Sequence, residues 1–100
     1  MNYELYTWPK CDQCDQTKTL FAEKGINYET IALSPVADLE QKRLFGKITD
    51  YIGGDANFKR NNRGKRVFPI LVERNGAGIE KVTQGFEDIS SLFQWLLKLI

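Results

Sequence analysis

Apolar and polar positions along the first third of the chain predict a strand, a helix and a second strand. Residues 3–7 (YELYT) are short and aromatic and stop before Pro9, which is typical of a strand that enters a loop. Apolar residues then recur at helical spacing over 14–24, and Gly25 is placed as a stop signal. Residues 27–33 (NYETIAL) alternate and are rich in β-formers. Such a βαβ unit should have parallel strands and a right-handed crossover.

The middle of the chain predicts a second helix. Ser34 is suited to the N-cap and Pro35 to the first turn. Gly46 interrupts the helical pattern with a residue of low helix propensity. Apolar residues at near-helical spacing nevertheless continue as far as the Gly53-Gly54 pair, at Leu39, Leu44, Ile48, Tyr51 and Ile52.

Two strands are predicted after a polar, basic stretch. Residues 67–73 (VFPILVE) have the composition of a buried strand, interrupted by Pro69. Asn75-Gly76 is a preferred hairpin turn, and residues 79–83 (IEKVT) alternate until Gly85 ends the strand. We therefore expect these two strands to form an antiparallel hairpin.

A last helix is predicted from Phe86 to the end of the chain. Glu87 and Asp88 suit its positive first turn. Its apolar positions are spaced like one helix face: Phe86, Ile89, Leu92, Phe93, Leu96, Leu97 and Ile100. The full order is β-α-β-α-β-β-α, which predicts an α/β fold with one four-stranded mixed sheet flanked by helices, in a single domain over residues 1–100.

Length and composition narrow the class of protein. With 100 residues, 42% hydrophobic, and only two cysteines, the chain should fold by apolar packing and not as a disulfide-stapled secreted domain. The start of the chain has no signal-peptide pattern, and no apolar run is long enough to span a membrane. We expect a cytoplasmic protein without a membrane partner. The net charge of +1 argues against nucleic-acid binding, although residues 59–66 (KRNNRGKR) hold five basic residues and no acidic one.

The two cysteines, Cys11 and Cys14, stand where a helix is predicted to begin. Cys11 should lie near the N-cap with its sulfur exposed, and Cys14 about one turn inside with its sulfur turned inward. The free N–H groups and dipole of a helix N-terminus stabilise a thiolate, which is the reactive form of cysteine. Cys11 is therefore the candidate nucleophile, and Cys14 the candidate resolving thiol that attacks a mixed disulfide formed at Cys11.

Nearby charges moderate this activation. Asp12 or Asp15, at about 7 Å in a water-like dielectric, would each cost a Cys11 thiolate roughly 0.6 kcal/mol, and Lys10 offsets one of them. A helix N-terminus contributes about 0.3 to 1 kcal/mol, and up to about 2 in a partly buried site. The balance favours an activated but not strongly acidic Cys11. A dithiol whose thiolate is only weakly stabilised forms a more reducing couple than one with a strongly acidic cysteine. The sequence therefore predicts that the protein acts as a reductant.

Two other uses of the cysteines remain open. The CxxC could be half of a zinc site, but the chain has no histidine and no second cysteine pair, so zinc would need a dimer or carboxylate ligands. A protein of that kind would be a non-enzymatic binding module. The cysteines could also be a buried structural pair, although Lys10, Asp12, Gln13 and Asp15 are polar neighbours.

Three motifs, YTWPKCDQC, VFPILV and QGFEDI, occur in the order in which the glutaredoxins have them and extend over nearly the whole chain. The sequence therefore resembles the glutaredoxins, which have the thioredoxin fold. The resemblance implies a glutathione-dependent thiol-disulfide oxidoreductase without a tightly bound cofactor or metal. Its implied partners are glutathione and disulfide-containing proteins, with ribonucleotide reductase among the possibilities.

The same resemblance implies roles for residues outside the CxxC. Pro69 would follow a cis peptide bond, and the backbone of Phe68 would pair with the cysteine of glutathione. Gly85, Phe86 and Glu87 would hold the γ-glutamyl end of glutathione at the start of the last helix. Trp8, Lys10 and Gln13, which flank the cysteines, complete the candidate substrate-binding residues. An ordinary edge-strand proline is the alternative interpretation of Pro69.

Some positions depart from the glutaredoxin pattern. Gln84 replaces the first glycine of the last motif and Glu87 lengthens an acidic position, which argues against tight binding of glutathione. The Cys-x-Gln-Cys core also resembles ribonucleotide-reductase-linked redoxins, which take electrons from thioredoxin reductase, so the electron source stays open. The basic run could hold a glutathione carboxylate or an acidic protein tail, or could be a solvated loop. Trp95 is expected to pack or to lie partly exposed.

Overall fold

The computed structural model describes residues 2–36 and 38–94. Its four strands are β1 (Asn2–Thr7), β2 (Glu29–Ala32), β3 (Ile70–Asn75) and β4 (Gly78–Gln84), which form one sheet in the order β2-β1-β3-β4. The β1 and β2 strands are parallel, whereas β3 is antiparallel to both β1 and β4. The predicted mixed sheet, with a parallel first pair and a terminal hairpin, is confirmed.

Three helices complete the fold: α1 (Asp12–Lys24), α2 (Leu39–Ile52) and α3 (Phe86–Phe93). A short 3-10 turn, Asp55–Asn57, follows α2. Gly25 ends α1 in the left-handed conformation with φ 66°, as its position predicted. The predicted continuation of α3 to Ile100, including Trp95, lies outside the described residues.

The predicted start of α2 is wrong by four residues. Asp38, not Ser34, is the N-cap, and its side chain accepts the N–H of Gln41 at 2.8 Å. The Ser34 hydroxyl instead accepts the Val36 N–H at 3.3 Å in a local turn. Both residue types compete for helix caps, and an aspartate four residues later provides the cap that the backbone uses.

The third strand begins after Pro69, not before it as the composition of 67–73 suggested. Because β3 lies between β1 and β4, the interpretation of Pro69 as an edge-strand residue is also excluded. The Phe68-Pro69 peptide bond is cis. Pro69 therefore lies in the connection that leads into a central strand.

Two apolar clusters cover the two faces of the sheet, because successive side chains of a strand point to opposite sides. On one face, Phe21 of α1 and Ile89 of α3 pack on the sheet with Leu5, Leu71 and Phe93. On the other, Ile48 of α2 packs with Tyr6, Leu33, Phe58, Ile70 and Val72. Among the described residues, no helix has the length and apolar character needed to cross a membrane.

Candidate active site

The cysteines lie at the N-terminus of α1, directly after the loop that follows β1. Cys11 is the N-cap, with extended backbone angles, and the Cys14 N–H donates to its sulfur at 3.1 Å. The two residues form a disulfide, with their Cα atoms 5.2 Å apart. The N-terminus of the helix thus directs a donor at the Cys11 sulfur, as the sequence predicted.

The two cysteine residues differ in exposure. Cys14 is buried, with 3% of its surface exposed, whereas Cys11 is partly exposed. Lys10, immediately before Cys11, is exposed and has a positive φ of 55°, in the turn that leads into α1. An incoming group can therefore reach Cys11 first, with Cys14 behind it.

Phe68 faces the cysteines from the connection before β3. Its carbonyl oxygen lies 3.6 Å from the Cys11 sulfur. Trp8 stacks on the Phe68 ring, with centroids 5.5 Å apart and 21° between the planes. The Pro69 carbonyl accepts the Gly85 N–H at 2.8 Å. The structure thus brings Trp8, Phe68 and Pro69 beside Cys11, and the Pro69–Gly85 hydrogen bond joins this region to the start of α3.

Gln13 connects the cysteine helix to α3. Its side-chain oxygen accepts the Phe86 N–H at 3.1 Å. Gly85, with φ 89°, is the N-cap of α3, and a Cβ there would lie 3.0 Å from Cγ1 of Val67. Glu87 is exposed in the first turn. The Phe86 N–H, which lies where the γ-glutamyl end of glutathione is expected, therefore already has an acceptor within the chain.

The five cations of the basic run have different surroundings, which the sequence did not reveal. The Lys59 ammonium pairs with Asp88 of α3. Arg60 and Arg66 both pair with Asp55, Arg60 at 2.8 Å and Arg66 through its Nε at 3.0 Å. The hydrogen bond from Arg66 holds the pKa of Asp55 below its ordinary value of 3.8. These three cations link the basic loop to α3 and to the 3-10 turn that follows α2.

Aromatic packing also holds this loop in place. The Arg66 guanidinium lies 5.4 Å from the centroid of the Phe45 ring and 5.2 Å from that of Phe58. Phe45 and Phe58 stack on each other at 5.2 Å, and Phe45 contacts Phe68 at 6.4 Å. An aromatic row thus runs from Trp8 to Phe58 and supports the basic loop beside Cys11.

A cleft of about 1120 Å³ opens beside Cys11, between the cysteine loop, α2 and the basic loop. Trp8, Lys10, Gln13 and Phe68 line it, so it brings together four of the predicted substrate-binding residues. Gly85 does not line this cleft, and Phe86 and Glu87 line a smaller one of about 440 Å³ together with Gln13 and Gln16. The two halves of the expected glutathione site therefore meet at Gln13.

This arrangement suits disulfide exchange. A hydrogen bond from a helix N-terminus favours the thiolate form of a reduced Cys11. A second thiol one turn away lies within disulfide distance, as the observed bond shows. Within residues 2–36 and 38–94, no group of three or more His, Cys, Asp or Glu side chains is placed to hold a metal ion.

Comparison with known proteins gives a partial family match. Residues 3–44, which include the CxxC, match the glutaredoxin family model. None of the curated protein sequences searched matches the chain significantly.

Solved structures extend the comparison over the whole fold. Glutaredoxin 1 from Francisella tularensis, solved as a complex with cacodylate, is 16% identical and superposes with a TM-score of 0.57 over 97% of this chain and 96% of its own. The Escherichia coli NrdH-redoxin, described as a glutaredoxin-like protein with a thioredoxin-like activity profile, is 19% identical, with a TM-score of 0.49 over 86% of this chain and 84% of its own. The chain thus shares its fold with glutaredoxin 1, and its Cys11–Cys14 disulfide lies within the segment, residues 3–44, that is similar to the glutaredoxins.

Proposed function

We propose that the chain is a dithiol reductant of protein and glutathione mixed disulfides in the cytoplasm. The Cys11 thiolate attacks one sulfur of the substrate disulfide, which breaks the S–S bond and releases the other substrate sulfur as a thiolate that takes up a proton. Cys14, after losing its proton, then attacks the Cys11 sulfur and releases the second substrate thiol. The substrate gains two electrons and two protons, and the Cys11–Cys14 disulfide remains.

One observation carries this proposal: the sulfur of the partly exposed residue Cys11 accepts the Cys14 N–H at 3.1 Å at the start of α1, and the residue Cys14 is buried. The alternative of a buried structural pair would require both cysteines to lie in the core. The difference in exposure instead separates a sulfur that meets the substrate from one that acts afterwards.

The Phe68 backbone is the second element of the proposed substrate site. Its carbonyl lies 3.6 Å from the Cys11 sulfur, and no backbone acceptor in the described part of the chain receives its N–H. An extended substrate segment can use such a donor and acceptor as a strand would. In this role Phe68 aligns the substrate sulfur with Cys11, while Trp8 and Pro69 shape the site around it.

Glutathione is the proposed electron source. Two glutathione molecules would reduce the Cys11–Cys14 disulfide by the same exchange steps and leave as oxidised glutathione. The family match of residues 3–44 supports this choice. Lys10 offers a cation for a glutathione carboxylate, and Gly85, Phe86 and Glu87 are proposed to receive the γ-glutamyl end.

The Gln13–Phe86 hydrogen bond favours a second electron source. Because Gln13 already occupies the Phe86 N–H, a γ-glutamyl carboxylate must displace it to bind there. A flavoprotein such as thioredoxin reductase would not need that site. In this second candidate function the chain is recharged by the reductase and passes its electrons to ribonucleotide reductase.

The Cys14→Ser variant tests the proposed chemistry directly. Treated with oxidised glutathione at neutral pH, it should form a single mixed disulfide on Cys11, because the thiol that would resolve the adduct is missing. Intact-mass analysis followed by peptide mapping measures the product, and Cys11→Ser is the matched control that should form none. No adduct on Cys14→Ser would contradict the role of Cys11. Stoichiometric zinc in the reduced wild-type protein would instead support a dimeric metal site.

A further inference from the structure

Positive charge is concentrated in the cleft beside Cys11. Six of the side chains that line it are cations and one, Asp12, is a carboxylate, although the net charge of the whole chain is only +1. The cations come from the cysteine loop, from α2 and from the basic loop. They are Lys10, Lys42, Arg60, Arg63, Lys65 and Arg66.

The ion pairs divide these cations into two groups. Arg60 and Arg66 form ion pairs with Asp55, which stabilise the loop in the folded chain. Across residues 2–36 and 38–94, no carboxylate comes within 4 Å of the ammonium or guanidinium nitrogens of the other four, which are Lys10, Lys42, Arg63 and Lys65. Cations that lie close together without counter-charges repel one another, which destabilises the folded chain. A negatively charged ligand would reduce this repulsion.

The turn that carries two of these cations is well ordered by hydrogen bonds. The Asn61 side-chain oxygen accepts the N–H groups of Arg63 and Lys65 at 2.9 and 3.1 Å, and the Asn61 N–H donates to the Lys65 carbonyl at 2.8 Å. Arg60 and Arg66 form a β-bridge across the base of this turn. A ligand therefore meets backbone positions that are already fixed, which lowers the entropic cost of binding.

The dimensions and lining of the cleft point to a peptide. Its volume of about 1120 Å³ exceeds the roughly 300–1,000 Å³ usual for small-molecule sites. Trp8, 39% exposed, and Phe68 give it an aromatic wall, and the Phe68 backbone offers an extended chain a donor and an acceptor. Nucleic acid is disfavoured, because one face of Trp8 is already stacked on Phe68 and the overall charge is nearly balanced.

We propose that the cleft binds an extended, acidic segment of a partner protein, so that Cys11 acts preferentially on disulfides flanked by Asp or Glu. Lys10 contacts the residues next to the attacked sulfur, and Arg63, Lys65 and Lys42 contact acidic side chains further along the segment. This specificity rests on the proposed function, because it concerns the substrate of the same thiol exchange.

The test measures how fast three peptide disulfides oxidise the reduced wild-type protein. The peptides have the same length and the same disulfide, which is flanked by aspartates, serines or lysines. Acid quenching and intact mass give the second-order rate constant of each reaction. At low salt the aspartate peptide should react at least about tenfold faster than the serine peptide, and the lysine peptide more slowly. High salt should reduce both differences.

A charge-reversed variant locates the effect. In Arg63→Glu/Lys65→Glu, the rate ratio of the aspartate to the serine peptide should fall to about one or below. Lys18→Glu/Lys81→Glu is the matched control, because it changes the net charge equally at two side chains that do not line the cleft. It should retain the preference for the aspartate peptide. The serine peptide reports on folding and thiol chemistry in every variant.

The outcomes separate the specificity from the chemistry. Equal rates for the three peptides, or the same loss of preference in both double variants, would overturn the acidic specificity while leaving the thiol exchange intact. A single-stranded oligonucleotide that blocks the serine peptide more strongly than a cysteine-free aspartate peptide does would overturn it in favour of nucleic acid. If no peptide reacts, the proposed function fails. Fluorescence anisotropy with the labelled, cysteine-free aspartate peptide then tests the cleft alone, and no binding would overturn the inference as well.

Discussion

At the scale of single residues, Gln13 occupies a hydrogen-bond donor at the start of α3. N–H groups in the first turn of a helix have no partner within the helix and attract anions. In this chain the Gln13 side chain takes the Phe86 N–H, across a sequence separation of 73 residues. A glutamine next to a resolving cysteine carries no signal of that contact in the sequence. The fold therefore decides whether Gln13 serves a substrate or the protein itself.

Replacing Gln13 by alanine should strengthen the use of glutathione. The variant frees the Phe86 N–H, so glutathione no longer has to displace a neutral amide hydrogen bond that contributes about 1 kcal/mol. We expect KM for glutathione to fall about fivefold, with a much smaller change in kcat. Steady-state kinetics with a fixed mixed-disulfide substrate measures both constants.

Thr19→Ala is the matched control for this prediction, because Thr19 is an exposed polar residue of the same helix that lines neither cleft. Its KM should equal that of the wild type. A Gln13→Ala variant with an unchanged or higher KM would show that the Phe86 N–H does not receive glutathione.

At the scale of elements, the connection between α2 and β3 converts a run of basic residues into an ordered loop. Asp55 follows α2 and pairs with both Arg60 and Arg66, while Arg66 also covers the aromatic rings of Phe45 and Phe58. Arg66 lowers the pKa of Asp55, so the carboxylate and its ion pairs persist at neutral pH and are lost only as the pH falls through that lowered pKa. The loop should therefore keep its shape across the physiological range.

The Asp55→Asn variant should loosen this loop without unfolding the protein. The neutral amide cannot form the two ion pairs with Arg60 and Arg66, so the segment that contains Arg63 and Lys65 opens more often. Trypsin should cleave after these two residues several-fold faster than in the wild type, as followed by mass spectrometry of the fragments at neutral pH. Asp50→Asn, an exposed substitution within α2, is the control and should leave the cleavage rate unchanged. Equal rates in the wild type and Asp55→Asn would contradict the anchoring role of Asp55.

At the scale of the whole molecule, one sheet separates two apolar clusters, and a polar group lies within one of them. The Tyr6 hydroxyl is buried and donates to Glu4 at 3.1 Å, and Arg74 pairs with Glu4 at 2.5 Å from the neighbouring strand. Burial, and to a smaller extent Glu4, raises the pKa of Tyr6 to about 12, although Arg74 opposes the shift. The fold thus keeps Tyr6 protonated at a pH where an unfolded chain would release that proton.

This difference makes the stability of the fold sensitive to alkali. The contribution from a protonated Tyr6 is fully present below its ordinary pKa of 10.0 and is lost as the pH rises to about 12. In Tyr6→Phe, the free energy of unfolding should fall less steeply over this range. Its slope should be smaller than that of the wild type by up to about 1.4 kcal/mol per pH unit. Urea unfolding at several alkaline pH values measures the two slopes. Tyr3→Phe, at a less buried tyrosine whose pKa is also raised, should change the slope less. Equal slopes for the wild type and Tyr6→Phe would contradict the burial effect.

The sequence by itself determined the order of the elements and the place of the chemistry. Hydrophobic spacing is a local property, so it predicted the strands and helices, with errors at the start of α2 and at Pro69, where several nearby residues could serve as the boundary. The position of Cys11 and Cys14 at the start of a helix also follows from local pattern, since the N-cap and the residue three positions later belong to the same turn.

Only the tertiary structure decided which groups are available to a ligand. The pairing of Gln13 with Phe86, of Lys59 with Asp88, and of Asp55 with two arginines joins residues that the fold brings together, and the side chains alone do not specify their partners. These contacts occupy one helix N-terminus and neutralise part of a basic run, and they leave the remaining cations around a cleft beside Cys11. The physical reason is that hydrogen bonds and ion pairs depend on distances of a few ångströms, which are set by how the helices pack on the sheet.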